Sequence, residues 1–470
     1  MSDADLLREL ARRRLAKGTM DLDSIESTVE EAQRDFGEET LAAAIEALPP
    51  EEGHPVPCPK CGRPAAVKAR NRVRHILTTA GELRLSRNYH YCQHCEHGFA
   101  PRDAALKLPE EGEVSMAMER RILDFGVNDT FESVAERWSI HFPTRISSNL
   151  VRRVVDRAGA LCEAALSEEN LQLAARPRPI EPASMLTVAT DGSMLLTREE
   201  GWREAKVGVV ARGGCFPPGM ERARRSIEDA RYVAVLGGQQ EFKQSLAAAL
   251  AAERADEVET VVWLGDGAAE NWTLARELCP FAIQVLDVPH AAHWAMDCGK
   301  ALLGEGHCLQ RQWDARVHQL LDADGPDTII AELMECLPLT ETDEQLAALD
   351  DVIGYYRTNA ARMQYRSLRA RGLPVGSGIV ESAHRHVLQV RMKRAGQRWS
   401  LQRARRMVRL RAVYRTAGAV HFHQALRDGR VRRPARARQL LVPNAPRRVK
   451  QRQRSLSRVS PLNRACLSSI

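Results

Sequence analysis

The sequence predicts a mixed α/β fold: a sheet with helices on its faces, preceded by a helical segment and a cysteine-bearing module and interrupted by a helical insertion. Three observations lead there. Apolar runs between Met185 and Leu286 come first as consecutive strands, then alternate with helical patterns. Two C-x2-C pairs bracket a stretch of alternating residues. Residues 295–370 carry helical periodicity throughout. A chain of 470 residues accommodates two to four domains and at least one sizeable core.

Residues 1–49 read as an N-terminal helical segment, with Leu and Ala at helical spacing in "LLRELARRRLAKG" and "DSIESTVEEAQRDFGEETLAAAIEAL". "PPEEGHPVP" ends it. Residues 50–105 read as a zinc ribbon. Cys58 and Cys61 form one pair, Cys92 and Cys95 the other, and the residues between them alternate as two strands with a turn near Ala80 and Gly81. Such a hairpin brings both pairs to one end, where four thiolates enclose a tetrahedral Zn²⁺ at about 2.3 Å. His94 and His97 are possible substitutes for one cysteine. Four protein ligands leave no position open to substrate, so this zinc is structural. The competing reading is of unrelated free thiols.

Residues 110–175 read as a helix-turn-helix-like DNA-binding segment. Thr130 or Asp129 caps the first helix, and Ser147 or Ser148 caps the second, "NLVRRVVDRAG". A pair of this kind places its second helix in a major groove or serves as plain scaffold. "ARPRPIEPAS" is a proline-rich linker. Residues 183–294 and 371–415 form the core. "MLTVATDGSML" reads as a strand ending at Asp191-Gly192, "AKVGVVARGG" and "RYVAVLGGQ" as the next two strands, and "QEFKQSLAAALAAERADE" as a helix. "TVVWLGDGAAENWTLARELCP" reads as strand, turn at Asp266-Gly267 and helix, and "AIQVLDVPHAAHWAMDCGKALL" repeats the pattern. Residues 295–370 are the helical insertion, and 427–470 a basic tail.

Charge is unevenly spread. The net +7 divides into +12 between Arg427 and Arg464 and about −5 over the rest. A basic tail on a near-neutral body fits a polyanion partner or a solvated, disordered end. No apolar run approaches the roughly 18 residues of a membrane span. The acidic start, "MSDADLLREL", lacks a signal-peptide core. The eleven cysteines form two close pairs and seven singles, which is not a disulfide framework. The expected location is cytoplasmic, with no membrane partner.

Two strands run into Asp-Gly, at Asp191 and Asp266, and strand ends of open sheets are where ligands bind. Glu381 follows "GSG", whose turn lets it project from the first turn of a helix. Three converging carboxylates can hold two Mg²⁺ or Mn²⁺ ions through oxygen ligands. From Ser382 to Arg415 there are eleven Arg or Lys and no acid. Cations in that position hold DNA phosphates beside the metal. Arg385, Arg391, Lys393, Arg394 and Arg398 are the candidates. Trp399 either stacks on an unpaired base or anchors the core. His384 and His386 read as solvent or phosphate contacts. Plainer readings exist as well: Asp-Gly is an ordinary turn pair, and Glu381 suits any helix N-terminus.

"GSGIVES…VRMKRAGQRW", "GDGAAENW" and "LDVPHAAHW" resemble the signature of the ISKra group of bacterial insertion-sequence transposases, related in pattern to Mutator-like transposases. The resemblance spans roughly Asp191 to Arg415. It implies an RNase H-like core with an Asp-Asp-Glu triad, carried over by position to Asp191, Asp266 and Glu381. It also implies an Asp-x2-His element at Asp287 and His290. His290 there orients a carboxylate or touches the scissile phosphate; a capping Asp and a packed His remain the alternative.

Two functions follow. One is a DDE transposase acting on double-stranded DNA at element ends and target, using two catalytic Mg²⁺ or Mn²⁺ ions and a structural Zn²⁺, and working as a homo-oligomer. The other is a non-catalytic zinc-ribbon DNA-binding regulator.

Overall fold

A computed structural model describes residues 21–427, apart from 52, 109–111, 143, 165–167, 214–228 and 377, together with 5, 8, 9, 12 and 13. The chain divides into a unit over residues 1–433 and a second over 434–470. The second unit, and with it all but the first residue of the expected basic tail, lies outside the described residues.

Helix α1 (Leu22–Glu46) starts where the Asp21 carboxylate accepts the Ser24 N–H at 2.9 Å. Its Leu41 and Ile45 pack against Ile76, Leu83 and Leu85 of the hairpin that follows. That hairpin is an antiparallel sheet in the order β1 (Val56–Pro57), β2 (Pro64–Thr78), β3 (Gly81–Cys92), β4 (His97–Phe99). Gly81 turns the chain at φ +118°, a conformation that favours glycine. Pairing slips between Val67 and Ala69 and again between Ala69 and Arg72, with Asn71 at φ +50°. Such bulges bend a strand and re-aim its side chains.

After a short helical turn at Pro101–Ala105, four longer helices follow: α2 (Met116–Asn128), α3 (Phe131–His141), α4 (Ser148–Glu163) and α5 (Glu168–Ala175). Ser115, Thr130 and Ser147 cap the first three through their hydroxyls. Helix α4, the expected recognition helix, is not separable from the rest. Its Leu150, Val151, Val154, Val155, Ala158 and Cys162 are buried in one continuous core with the large sheet. On its outer side Arg153 pairs with Glu113 at 3.1 Å and Arg157 with Glu119 at 3.4 Å.

The large sheet has the order β7 (Asp229–Val235), β6 (Gly201–Gly213), β5 (Met185–Thr197), β8 (Thr260–Gly265), β9 (Ile283–Leu286). β5, β6 and β7 form an antiparallel meander, whereas β8 and β9 run parallel to β5. Helices α6 (Gln239–Ala252) and α7 (Ala269–Leu278) supply the crossovers, and α8 (Val288–Leu303) follows the last strand. The sequence reading of β5 needs correction. Asp191-Gly192 is no turn, because β5 continues through it and pairs with β6 as far as Thr197 and Gly201. What ends near Asp191 is the parallel pairing, whose last rung is Ala189 with Leu264. Beyond it the hairpin overhangs the sheet.

Residues 304–370 are mainly helical, with α9 (Cys308–Leu320), α10 (Asp327–Glu335) and α11 (Asp343–Asn359). They sit on α8 through buried donors: Tyr356 gives its hydroxyl to Ala291 O at 2.7 Å, and Trp313 its Nε1–H to Ala295 O at 2.8 Å. The basic stretch then proves to be broken. A short helix α12 (Gly378–Ala383) passes into a π-helical turn over His384–Gln389 and one more α-turn, Val390–Met392. After a loop come α13 (Leu401–Ala417) and α14 (Ala419–Arg427). Gly396 sits at φ +72° in that loop. Trp399 is stitched to the β5 hairpin: its N–H reaches Leu196 O at 3.3 Å, and its carbonyl accepts Arg198 N–H at 2.8 Å.

Arg411 of α13 is fully buried and donates to the carbonyls of Val127, His386 and Val387. Val127 belongs to the last turn of α2, where carbonyls lack helical partners. The other two lie in the π-turn, where the regular ladder is shifted. Burial pulls the Arg411 pKa down to about 9, with Arg415, Arg391 and Arg394 adding repulsion. Arg411→Met should therefore lower stability by roughly 3–5 kcal/mol, because orphaned buried acceptors each cost about 1–3 kcal/mol. Urea denaturation checks this, and a loss under 1 kcal/mol would contradict it.

Candidate functional site

The four cysteines converge. Cys58 and Cys61 precede β2, Cys92 ends β3, and Cys95 lies in the turn to β4. The four sulfurs all lie within 4.8 Å of one another. Cys58 Sγ is 3.6 Å from Cys95 Sγ, and Cys61 Sγ is 3.5 Å from Cys92 Sγ. The backbone N–H of Cys95 helps draw the Cys92 thiol down to about 7 against its burial, whereas burial and the neighbouring sulfurs push Cys95 up to about 12. Four thiolates this close repel one another, and a dication relieves that repulsion. The cluster can hold a zinc ion. His94 and His97 are not part of it.

The second candidate lies at the rim of the large sheet. A pocket of about 500 Å³ is lined by Asp191, Gly192, Ser193, Gly378, Glu381, Ser382, His384, Arg385, His386 and Gln389. Asp191 and Glu381, 190 residues apart in the chain, thus face one cavity. Asp266 is not among the lining residues, but the sheet keeps it near. The parallel pairing ends at Ala189 and Leu264, two residues before Asp191 on β5 and two before Asp266, which directly follows β8. Adjacent strands lie about 4.8 Å apart. A hydrogen-bonded bridge spans the same gap. Thr190 donates to Asn271 Oδ1 at 2.7 Å, and Asn271 Nδ2 donates to Asp266 Oδ1 at 2.7 Å. Tyr355 of the helical insertion fixes the turn from behind, giving its hydroxyl to Asp266 O at 2.8 Å. Among the described residues, the three carboxylates do not form a group with all ligand atoms within 4.8 Å, as the sulfurs do.

Burial opposes ionisation of Asp191. Its contacts prevail: His384 Nε2 lies 3.2 Å from Oδ2, the Gly192 N–H lies 2.7 Å from Oδ1, and the His290 charge adds to them, so the pKa falls below the usual carboxylate range. His290 Nδ1 donates to Asp287 Oδ2 at 2.6 Å, and the Asp287 side chain is fully buried. That bond raises the His290 pKa against the effect of burial, and the charges of Asp287, Asp266 and Asp191 raise it further. Asp287 precedes α8 without a side-chain cap bond; its carboxylate holds His290 instead.

His384 corrects the sequence reading, since it is buried against Asp191 and not a solvent or phosphate contact. The spacing hid it because the π-turn re-aims the residues after Ala383. Asn271 and Tyr355 were also missed. The Asn in "GDGAAENW" is five residues past Asp266 in sequence, which was the available signal.

The wall of cations mostly dissolves. Arg391 is buried, its guanidinium 4.8 Å from the Phe131 ring centre and 5.1 Å from that of Trp399, and it is withdrawn as a DNA contact. Trp399 is also buried, its Nε1–H donating to Met392 O at 3.2 Å, which makes it the core anchor. Arg394 pairs with Asp129 at 2.7 Å. Along α13, Arg403 pairs with Asp156 at 2.9 Å, Arg406 with Glu163 at 2.9 Å, and Arg409 with Glu241 at 3.0 Å. These cations fasten α13 to α4 and α6. Arg385, Lys393 and Arg398 stay exposed; Lys393 donates to Ser193 Oγ at the pocket edge.

Among the described residues no helix is long and apolar enough to cross a membrane. A comparison with curated proteins gives no match. Among solved structures, the Drosophila P element transposase strand transfer complex is similar at 11% identity and a TM-score of 0.31, over 68% of this chain and 96% of that one. A likeness of that size carries no argument about this chain. The model of an uncharacterised protein family, UPF0236, matches residues 15–425, and the chain belongs to that family.

Proposed function

We propose that the chain is a DNA transposase of the DDE type, similar to the ISKra group, with an RNase H-like core formed by residues 183–294 and 371–415. One observation carries this reading: Asp191 and Glu381, brought from distant parts of the sequence, face one rim pocket, with Asp266, just past the end of the adjoining strand, linked to Thr190 through Asn271. The sheet order, an antiparallel meander followed by two parallel strands, fits an RNase H-like core. Carboxylate oxygens are the donors that Mg²⁺ and Mn²⁺ take, and Asp191 is held ionised. Asp191 and Asp266 would hold the ions, and Glu381 would complete the set. When bound, such ions polarise the phosphodiester and activate the attacking oxygen. His290, fixed through Asp287, presents its other ring nitrogen and a proton to a phosphate or leaving oxygen. Arg385 and Lys393 offer charge to the DNA backbone at the pocket edge.

The test is a product assay. The protein is incubated with Mg²⁺ and a plasmid bearing the DNA that flanks its own gene, and junctions are sequenced. Joined strands support a transposase. Nicks without joining indicate a plain nuclease. Intact DNA bound equally with and without divalent metal indicates the zinc-ribbon regulator, and overturns the enzymatic reading.

A further inference from the structure

We infer that the outer face of the β2–β3 hairpin is a second, separate binding surface for duplex DNA, gripping the phosphate backbone through cations pre-ordered on tyrosine rings. This rests on the reading of DNA as the partner and is independent of the rim pocket. From Val56 to Phe99 the chain carries eight Arg or Lys against two Glu. Four of the eight have partners within the module: Arg74 and Arg87 meet Asp103 at 2.8 and 2.7 Å, Arg63 meets His94 Nδ1 at 2.9 Å, and Arg70 donates to Gly53 O at 3.3 Å while staying exposed. On β2, Lys68 and Arg72 are exposed as well.

Their arrangement is built rather than incidental. Lys68 Nζ sits 4.3 Å from the centre of the Tyr91 ring, and the Arg72 guanidinium 5.0 Å from that of Tyr89. Cation–π contact holds a charged head over the ring while leaving its far side to solvent. The rings are themselves seated. Tyr89 lies across Gly98 of β4, where an added Cβ would strike the phenol. The bulge at Asn71 then turns the strand between the two cation–ring pairs. Rings already covered by cations are poor platforms for stacking bases. The surface therefore suits phosphates of a duplex, read without regard to sequence. Arg70 also ties β2 to the Gly53 carbonyl, but the hairpin's interior, closed by Cys58, Ala65 and Cys92 at one end and Ile76, Leu83 and Leu85 at the other, makes no use of the Lys68 and Arg72 charges.

The test uses the full chain and a labelled duplex of arbitrary sequence, titrated at several salt concentrations. The triple variant Lys68→Gln, Arg70→Gln, Arg72→Gln is compared with a charge-matched control, Arg311→Gln, Arg316→Gln, Arg369→Gln, in the helical insertion. Zinc content and circular dichroism confirm that both fold. The expected result is a fall in the slope of log K against log salt by about 2–3 for the hairpin triple, at roughly 0.9 per lost phosphate contact. Affinity at physiological salt should drop at least about tenfold, and the control slope should change by less than about 1. An unchanged slope in the hairpin triple overturns the inference while leaving the rim-pocket reading intact. An equal loss in both triples also overturns it, because net charge alone would then explain binding. Failure of the wild-type chain to bind duplex DNA removes both readings.

Discussion

Asp191→Ala should abolish strand cleavage and joining in Mg²⁺, by at least about a thousand-fold, with duplex affinity changed less than about threefold. Asp191 combines two properties that predict so large an effect. Its pKa is depressed despite burial, so it presents a full negative charge. It also faces the same pocket as Glu381. Glu381→Ala should fall as far, and Glu381→Gln nearly so, since an amide keeps the shape and loses the charge. His384→Ala should be milder, about ten- to a hundred-fold, because it acts through Asp191 and not on DNA. Its separate signature is a rise in the concentration of Mg²⁺ needed for half-maximal rate. Single-turnover assays on plasmid DNA read all four variants. Joining by Asp191→Ala at even a tenth of the normal rate would remove the chemical role argued for the pocket.

Cys92→Ser should bring bound zinc from about one ion per chain to near zero, as measured by elemental analysis after dialysis. The hairpin ends at the cysteines have a small apolar core, made by Cys58, Ala65 and Cys92 with Phe99 beside them. Without the ion, the Cys58–Cys61 and Cys92–Cys95 turns are left with that small core, the adjoining strand pairs and the Arg63–His94 contact at 2.9 Å. A strong chelator should therefore expose the hairpin to proteolysis between residues 56 and 99 while the large sheet stays intact. Wild-type protein purified with no zinc and equal protease resistance would contradict this.

Some of the molecule was legible in the sequence for local reasons. The C-x2-C spacing names its own geometry, since two tight turns must meet to close four ligands. The apolar run before Asp266 is short, buried and bounded by Asp-Gly, so strand and turn read correctly. β5 was misread because Asp191-Gly192 has turn chemistry, yet pairing with β6 overrides it. The arginines of α13 were misread for a different reason. Their partners Asp156, Glu163 and Glu241 lie some 170–250 residues away in the chain, so an acid-free window looked like an open cationic face. His384 was hidden by a change of helical pitch that leaves no compositional trace.

The stitch between Trp399 and the tip of β5 closes a loop of about two hundred residues. Closing a loop of that size costs entropy before any contact rewards it. A nascent chain emerging from the ribosome can complete its hairpin and meander early, but it holds no finished cavity until Trp399 has been made. Shortened products that stop before that tryptophan would keep the cysteine hairpin and the meander but lose the backbone bonds that fasten the end of the basic stretch to β5.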